Sequence, residues 1–185
     1  MKQNSSISIR LIFLNFLEFA VWGAYLTSLG RYLGGIGMGS QINWFFAIQG
    51  IVSIFMSALM VILADRKMQA QKVLSLCHAL AGVSMIAAGV YCMKAGAAIQ
   101  FAPLFALYSF SVAFFMPTIA LVNSVAYNAL EKAGMDPVKA FPPIRVFGTV
   151  GFIISMLATN FLKIDGVAMQ DSFTQLISSG LISIV

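Results

Sequence analysis

Apolar residues fall in six long blocks separated by short polar connections. The blocks are Leu11–Gly30, Ile42–Ala64, Val73–Met93, Phe101–Tyr127, Val138–Leu162 and Ser172–Val185. A helix needs about 20 mostly apolar residues to cross a bilayer. The first five blocks meet that length. The sixth reaches about two-thirds of it at the last residue, so it is expected to be an incomplete membrane helix. The pattern predicts an all-α polytopic membrane protein formed by one transmembrane bundle over residues 1–185.

Composition agrees with that solvent. The chain is 60% hydrophobic and 9% charged, with a mean hydropathy of +0.92. A soluble domain carries about a quarter charged residues. The net charge of +5 does not indicate nucleic-acid binding, because the basic residues form no patch. They sit between apolar blocks, as topology signals do. Lys2, Arg10, Arg66, Lys67, Lys72, Lys132 and Lys139 flank one side of the predicted spans; Arg31, Lys94 and Lys163 flank the other. The excess predicts a cytoplasmic N-terminus. The first block is long for a signal-peptide core and contains Glu18, so it reads as a retained helix.

Cys77 and Cys92 share one apolar block. Fifteen helical residues separate them by roughly 22 Å, too far for a disulfide. His78 is the single histidine, and no Cys/His spacing suits a metal. No metal or organic cofactor is expected.

Ionisable residues inside membrane segments are functional candidates by default. Glu18, Trp22 and Tyr25 follow at i, i+4 and i+7 and share a helical face. An acid, an indole and a phenol together suit a polar cavity with aromatic walls and a role in proton coupling. The simpler account is two packing aromatics beside a lone acid. His78 fits helix packing better than a proton relay. Asn123 is placed for a bond to a neighbouring helix, with a lesser chance of lining the cavity. Asp65 and Arg66 close the second block in "LADRK" and are candidate gating residues; an ordinary positive-inside loop explains them equally well.

Arg145 has two readings. If its helix begins at Pro142–Pro143, Arg145 snorkels to the membrane surface. If Asp136 caps the helix and Pro137 opens it, Arg145 lies about eight residues in, roughly 12 Å deep. Thr149 and Phe152 follow at i+4 and i+7, and favour the second reading. Beside them, Gly148, Gly151 and Ser155 form a small-residue strip suited to close helix packing.

The stretches "EFAVWGAYLTSLG", "LADRK", "LCHALAG", "MPTIALVNSVAY" and "AGMDPVKAFPPIRVFGTVGF" resemble the bacterial proton-coupled nucleoside symporters of the major facilitator superfamily. The resemblance spans the chain, and its last stretch is the most specific. It implies the N-terminal six-helix half of a twelve-helix transporter in the bacterial inner membrane. A C-terminal half would be missing. The implied partners are a nucleoside, the lipid bilayer and that second half, with the proton as coupling ion. The resemblance also implies that Arg145, Thr149 and Phe152 line the nucleoside site. Two departures stand out: the family pattern carries Gln where this chain has Glu18, and Val61 stands where the loop motif has its first glycine. The competing expectations are a carrier of sugars or other polar solutes, and a six-helix half that dimerises. An enzyme is disfavoured, since no catalytic motif or paired intramembrane acids occur.

Overall fold

The computed structural model describes residues 2–66 and 68–185, apart from the side chains of residues 2–4 and 65. Seven α-helices follow in order: α1 (Lys2–Gly23), α2 (Leu29–Gly35), α3 (Ile42–Arg66), α4 (Ala70–Ala95), α5 (Phe101–Lys132), α6 (Pro137–Phe161) and α7 (Thr174–Ile184). Among the described residues, five helical stretches are long and apolar enough to cross a membrane: Ser5–Gly23, Gly39–Ala64, Ala70–Ala98, Phe101–Lys132 and Pro137–Phe161. Helix α7 has 11 residues.

The first apolar block is not one helix to Gly30, as its hydropathy predicts. Helix α1 begins at Lys2 and ends at Gly23. A run of turns follows, with Leu26 and Leu29 donating backbone bonds to Trp22 and Tyr25. The short α2 then stops before Gly37, whose φ of +83° suits glycine. Hydropathy records where lipid or core is the solvent, and it is blind to a break between two apolar stretches.

The all-α expectation has one small exception. Lys163–Ile164 and Val167–Ala168 form an antiparallel hairpin, β1–β2. Its two-residue turn is Asp165-Gly166, with φ values of 50° and 80°. Asp-Gly is a favoured pair for such a turn, because both central residues need positive φ.

The start of α6 places Arg145 about two turns into the helix. Asp136 is extended, and its carboxylate accepts the Val138 N–H at 3.0 Å. Pro137 occupies the first turn, where its missing N–H costs nothing. Pro142 and Pro143 therefore lie inside the helix. Neither can donate to the carbonyl four residues earlier, so those of Val138 and Lys139 lose a ladder partner.

Packing joins α1 to α6 and α7, α4 to α5 and α7, and α3 to α5. Glycines permit the closest approaches. A Cβ on Gly151 would lie 2.1 Å from the Phe16 carbonyl oxygen, and one on Gly23 would lie 2.3 Å from that of Phe152. Gly82 and Gly180 do the same for α4 and α7. Gly148, Gly151 and Ser155 are all buried, as their strip predicts. Cys77 and Cys92 are free and buried on α4. Helix α3 is the least covered, presenting Trp44, Ile54, Phe55 and Leu59 outward.

Candidate functional site

Two faces of α6 divide the work of packing and presentation. Gly148, Gly151 and Ser155 press against α1. Arg145, Thr149 and Phe152 lie about 90° around the helix, at about 100° per residue. Thr149 is exposed; Arg145 and Phe152 are half-buried. The Arg145 guanidinium carbon lies 3.8 Å from the centroid of the Phe19 ring. Gly148 makes this possible, since a Cβ there would meet Phe19 Cδ2 at 2.7 Å and Arg145 Nη1 at 2.8 Å. Stacking on an aromatic face holds the guanidinium while leaving its N–H edges available.

Trp22 completes this wall from α1. Its ring meets Phe152 edge to face at 6.4 Å and leans on Phe19 at 6.5 Å. The indole N–H donates to Gln49 Oε1 at 3.3 Å, and the Gln49 amide nitrogen donates to the Tyr108 hydroxyl at 2.8 Å. Gln49 thus steadies Trp22 from α3. Its role was not anticipated, although an amide midway along an apolar block was a visible signal.

The Glu18–Trp22–Tyr25 stripe does not enclose one cavity. Tyr25 lies in the turns beyond the end of α1 at Gly23, and different helices meet Glu18, Trp22 and Tyr25. Tyr25 is fully buried in an aromatic core, edge-on to Tyr108 at 6.0 Å. Phe45 and Phe105 extend that core. Trp22 joins the α6 wall. Glu18 points elsewhere, toward α4, α5 and α7.

Glu18 is buried in a polar cluster of four helices. Its Oε1 lies 2.6 Å from Thr118 Oγ1, and its Oε2 lies 2.8 Å from His78 Nε2. His78 Nδ1 lies 3.0 Å from Ser183 Oγ. Residues 18, 78, 118 and 183 come from α1, α4, α5 and α7. His78 joins α4 to α1 and α7, in line with the packing expectation, and its ring also contacts Glu18 directly.

The remaining candidates stand apart. Asn123 is half-buried, and its side-chain oxygen has no partner among the described residues. Arg66 is exposed at the end of α3. The Asp65 side chain lies outside the described part of the structure, so its gating role is untouched by the geometry. Arg31 and Asp171 pair at the surface and fasten α2 to the segment before α7. Among the described residues, no group of three His, Cys, Asp or Glu side chains is arranged to hold a metal.

Residues 5–185 match the family model described as nucleoside H+ symporter. The xanthosine permease of Escherichia coli K12 is 40% identical over 168 residues, covering 89% of this chain and 38% of that protein. The nucleoside permease NupG of the same organism is 36% identical over 154 residues, covering 82% of this chain and 35% of NupG. A crystal structure of a mutant of the nucleoside transporter NupG superposes with a TM-score of 0.85 at 32% identity, over 96% of this chain and 42% of that one. The chain thus spans well under half the length of these relatives.

Proposed function

The chain belongs to the nucleoside H+ symporter family, and from that premise we propose that it forms the N-terminal six-helix half of a major facilitator superfamily transporter that imports nucleosides with protons. The spanning helices are α1, α3, α4, α5, α6 and α7, with α7 continued in a longer protein. The coverage of the relatives supports a C-terminal half beyond this one. Five long apolar helices support a multi-pass protein of a bacterial cytoplasmic membrane. The excess of basic residues on one side supports a cytoplasmic N-terminus.

The observation that carries this reading is the Arg145–Thr149–Phe152 face of α6, at the edge of the α1 seam, where Arg145 stacks on Phe19 and Phe152 meets Trp22 while Thr149 is exposed. In the proposal, Arg145 donates to ribose hydroxyls or a base carbonyl through its fork of N–H groups. Thr149, one turn deeper, bonds the same ligand. Phe152 and Trp22 supply flat apolar surface for the base. The opposite wall comes from the second half, since such transporters bind between repeats near mid-membrane. This is solute movement and not catalysis; the permeases to which the chain is similar support that reading.

The test is uptake of radiolabelled uridine by cells expressing the full-length protein. Uptake should collapse when a protonophore removes the proton gradient, and unlabelled nucleosides should compete. Competition by sugars in place of nucleosides would overturn the substrate class. Uptake indifferent to the gradient would overturn proton coupling.

A further inference from the structure

The Glu18 cluster contains two hydroxyls, each with one hydrogen and two positions to put it. Thr118 Oγ1 lies 2.6 Å from Glu18 Oε1 and 2.6 Å from the Phe115 carbonyl oxygen. Ser183 Oγ lies 3.0 Å from His78 Nδ1 and 3.0 Å from the His78 carbonyl oxygen. A hydroxyl donates once and accepts as well. We propose that Glu18 and His78, with Thr118 and Ser183 as rotating partners, form a proton-binding site that holds zero, one or two protons without leaving a buried polar group unpaired.

The three states follow from bond counting. With Glu18 ionised and His78 neutral, Nε2–H donates to Oε2, Ser183 donates to Nδ1 and Thr118 donates to Oε1. A first proton enters at Nδ1. Nδ1–H then donates to Ser183 Oγ, and the Ser183 hydrogen turns to the His78 carbonyl. A second proton enters at Glu18 Oε1. Oε1–H donates to Thr118 Oγ1, and the Thr118 hydrogen turns to the Phe115 carbonyl. Every donor finds an acceptor in each state, so changing charge requires only two hydroxyl rotations. A buried polar group left without a partner costs about 1–3 kcal/mol; this cluster avoids that penalty at each step.

The surroundings suit such a site. Few other ionisable groups compete. From α4, Cys77 is buried within electrostatic reach of Glu18. From α6, Arg145 is stacked on Phe19. From α5, Tyr108 bonds Gln49, while Glu131 and Lys132 are exposed at the helix end. Helix α7 carries no ionisable side chain. A fixed structural bridge would need only one of the two hydrogen positions at each hydroxyl. Proton binding stands on this geometry alone; its role in coupling rests on the proposed transport function.

Infrared pH-difference spectroscopy of the purified full-length protein tests it. Acidification should raise a carboxylic-acid C=O band that is lost in Glu18→Gln, and its pH curve should be displaced in His78→Gln. Thr118→Val keeps the shape of the side chain and removes the hydroxyl, so the band should persist at a shifted frequency. The absence of the band from the wild type, its persistence in Glu18→Gln, or an unshifted band in Thr118→Val would each overturn the site. So would an undisplaced curve in folded His78→Gln protein. Uridine binding measured on the same samples separates the two proposals. Binding without the band leaves the nucleoside reading and removes the proton site, and the band without binding does the reverse.

Discussion

Arg145 rests on the ring of Phe19, with its guanidinium carbon 3.8 Å from the ring centroid. The pairing sets the charge into the α1–α6 seam and leaves its edges for a ligand. Lysine keeps the charge but loses the planar fork. Arg145→Lys should therefore abolish measurable uridine binding in the full-length protein while expression and orientation are retained. Phe19→Leu should act more mildly, since a cation–π contact contributes about 0.5–2 kcal/mol, or roughly a 2- to 30-fold loss of affinity. Isothermal titration with uridine reads both. Normal affinity with Lys at 145 would return the residue to a surface-anchoring role.

The close seam between α1 and α6 gives a second expectation, about stability. Gly151→Ala places a methyl 2.1 Å from the Phe16 carbonyl oxygen. Backbone cannot yield as a flexible side chain can, so the helices must separate. Overpacking commonly costs about 1–3 kcal/mol, and a backbone clash belongs at the upper end or beyond. Gly34→Ala is the internal comparison, because a Cβ there meets nothing within 4 Å. Thermal unfolding in detergent should fall clearly for Gly151→Ala and stay close to wild type for Gly34→Ala. Equal melting temperatures would refute the seam.

Residues near one another in sequence revealed more than residues brought together by the fold. Asp136 and Pro137 offered one of two readable starts for α6, and it is the one observed, because capping and proline chemistry act within four residues. With that start, Arg145 lies about two turns into α6. The small-residue strip of α6 was also legible, since its meaning depends only on helical spacing. The family resemblance is likewise borne out by the match over residues 5–185. The break after Gly23 was hidden because Ala24–Leu33 is nearly as apolar as the helix before it. The Asp165-Gly166 hairpin was readable but overshadowed by the neighbouring apolar blocks. The partnership of Glu18 with His78 lay beyond periodicity, because sixty residues separate them and only the packing of α1 on α4 and α7 makes them meet.

Gln49 offers a third expectation, for a residue that touches the proposed wall only through Trp22. Its amide satisfies the Trp22 indole N–H and donates to the Tyr108 hydroxyl. Gln49→Leu removes both bonds and strands the indole N–H in apolar surroundings. The cost should be about 1–3 kcal/mol of stability, visible in thermal unfolding. Trp22 also loses its anchor, so uridine affinity should fall. Gln49→Glu retains an acceptor for the indole and should preserve more affinity than Leu. If Leu and Glu behave alike in binding, Gln49 is a packing residue only.

The wall on α6 and the cluster at Glu18 use different side chains, and mutation should separate their effects. Thr149 is exposed on the wall and is proposed to bond the nucleoside directly. Thr149→Val keeps the branched shape and loses the hydroxyl. One neutral hydrogen bond contributes about 0.5–1.5 kcal/mol, so uridine affinity should weaken roughly 2- to 10-fold. The pH dependence of uptake should keep its form, because Glu18 bonds His78 and Thr118 and not Thr149. Glu18→Gln should do the opposite. Its amide can still accept from Thr118 and meet the His78 ring, so folding should survive. It can no longer take up a proton, and the pH profile of uptake should change form. Initial uptake rates measured against both uridine concentration and pH give the two effects in one experiment. A Thr149 variant that reshapes the pH profile, or a Glu18 variant that leaves it unchanged, would mean that the two sites are not divided as proposed.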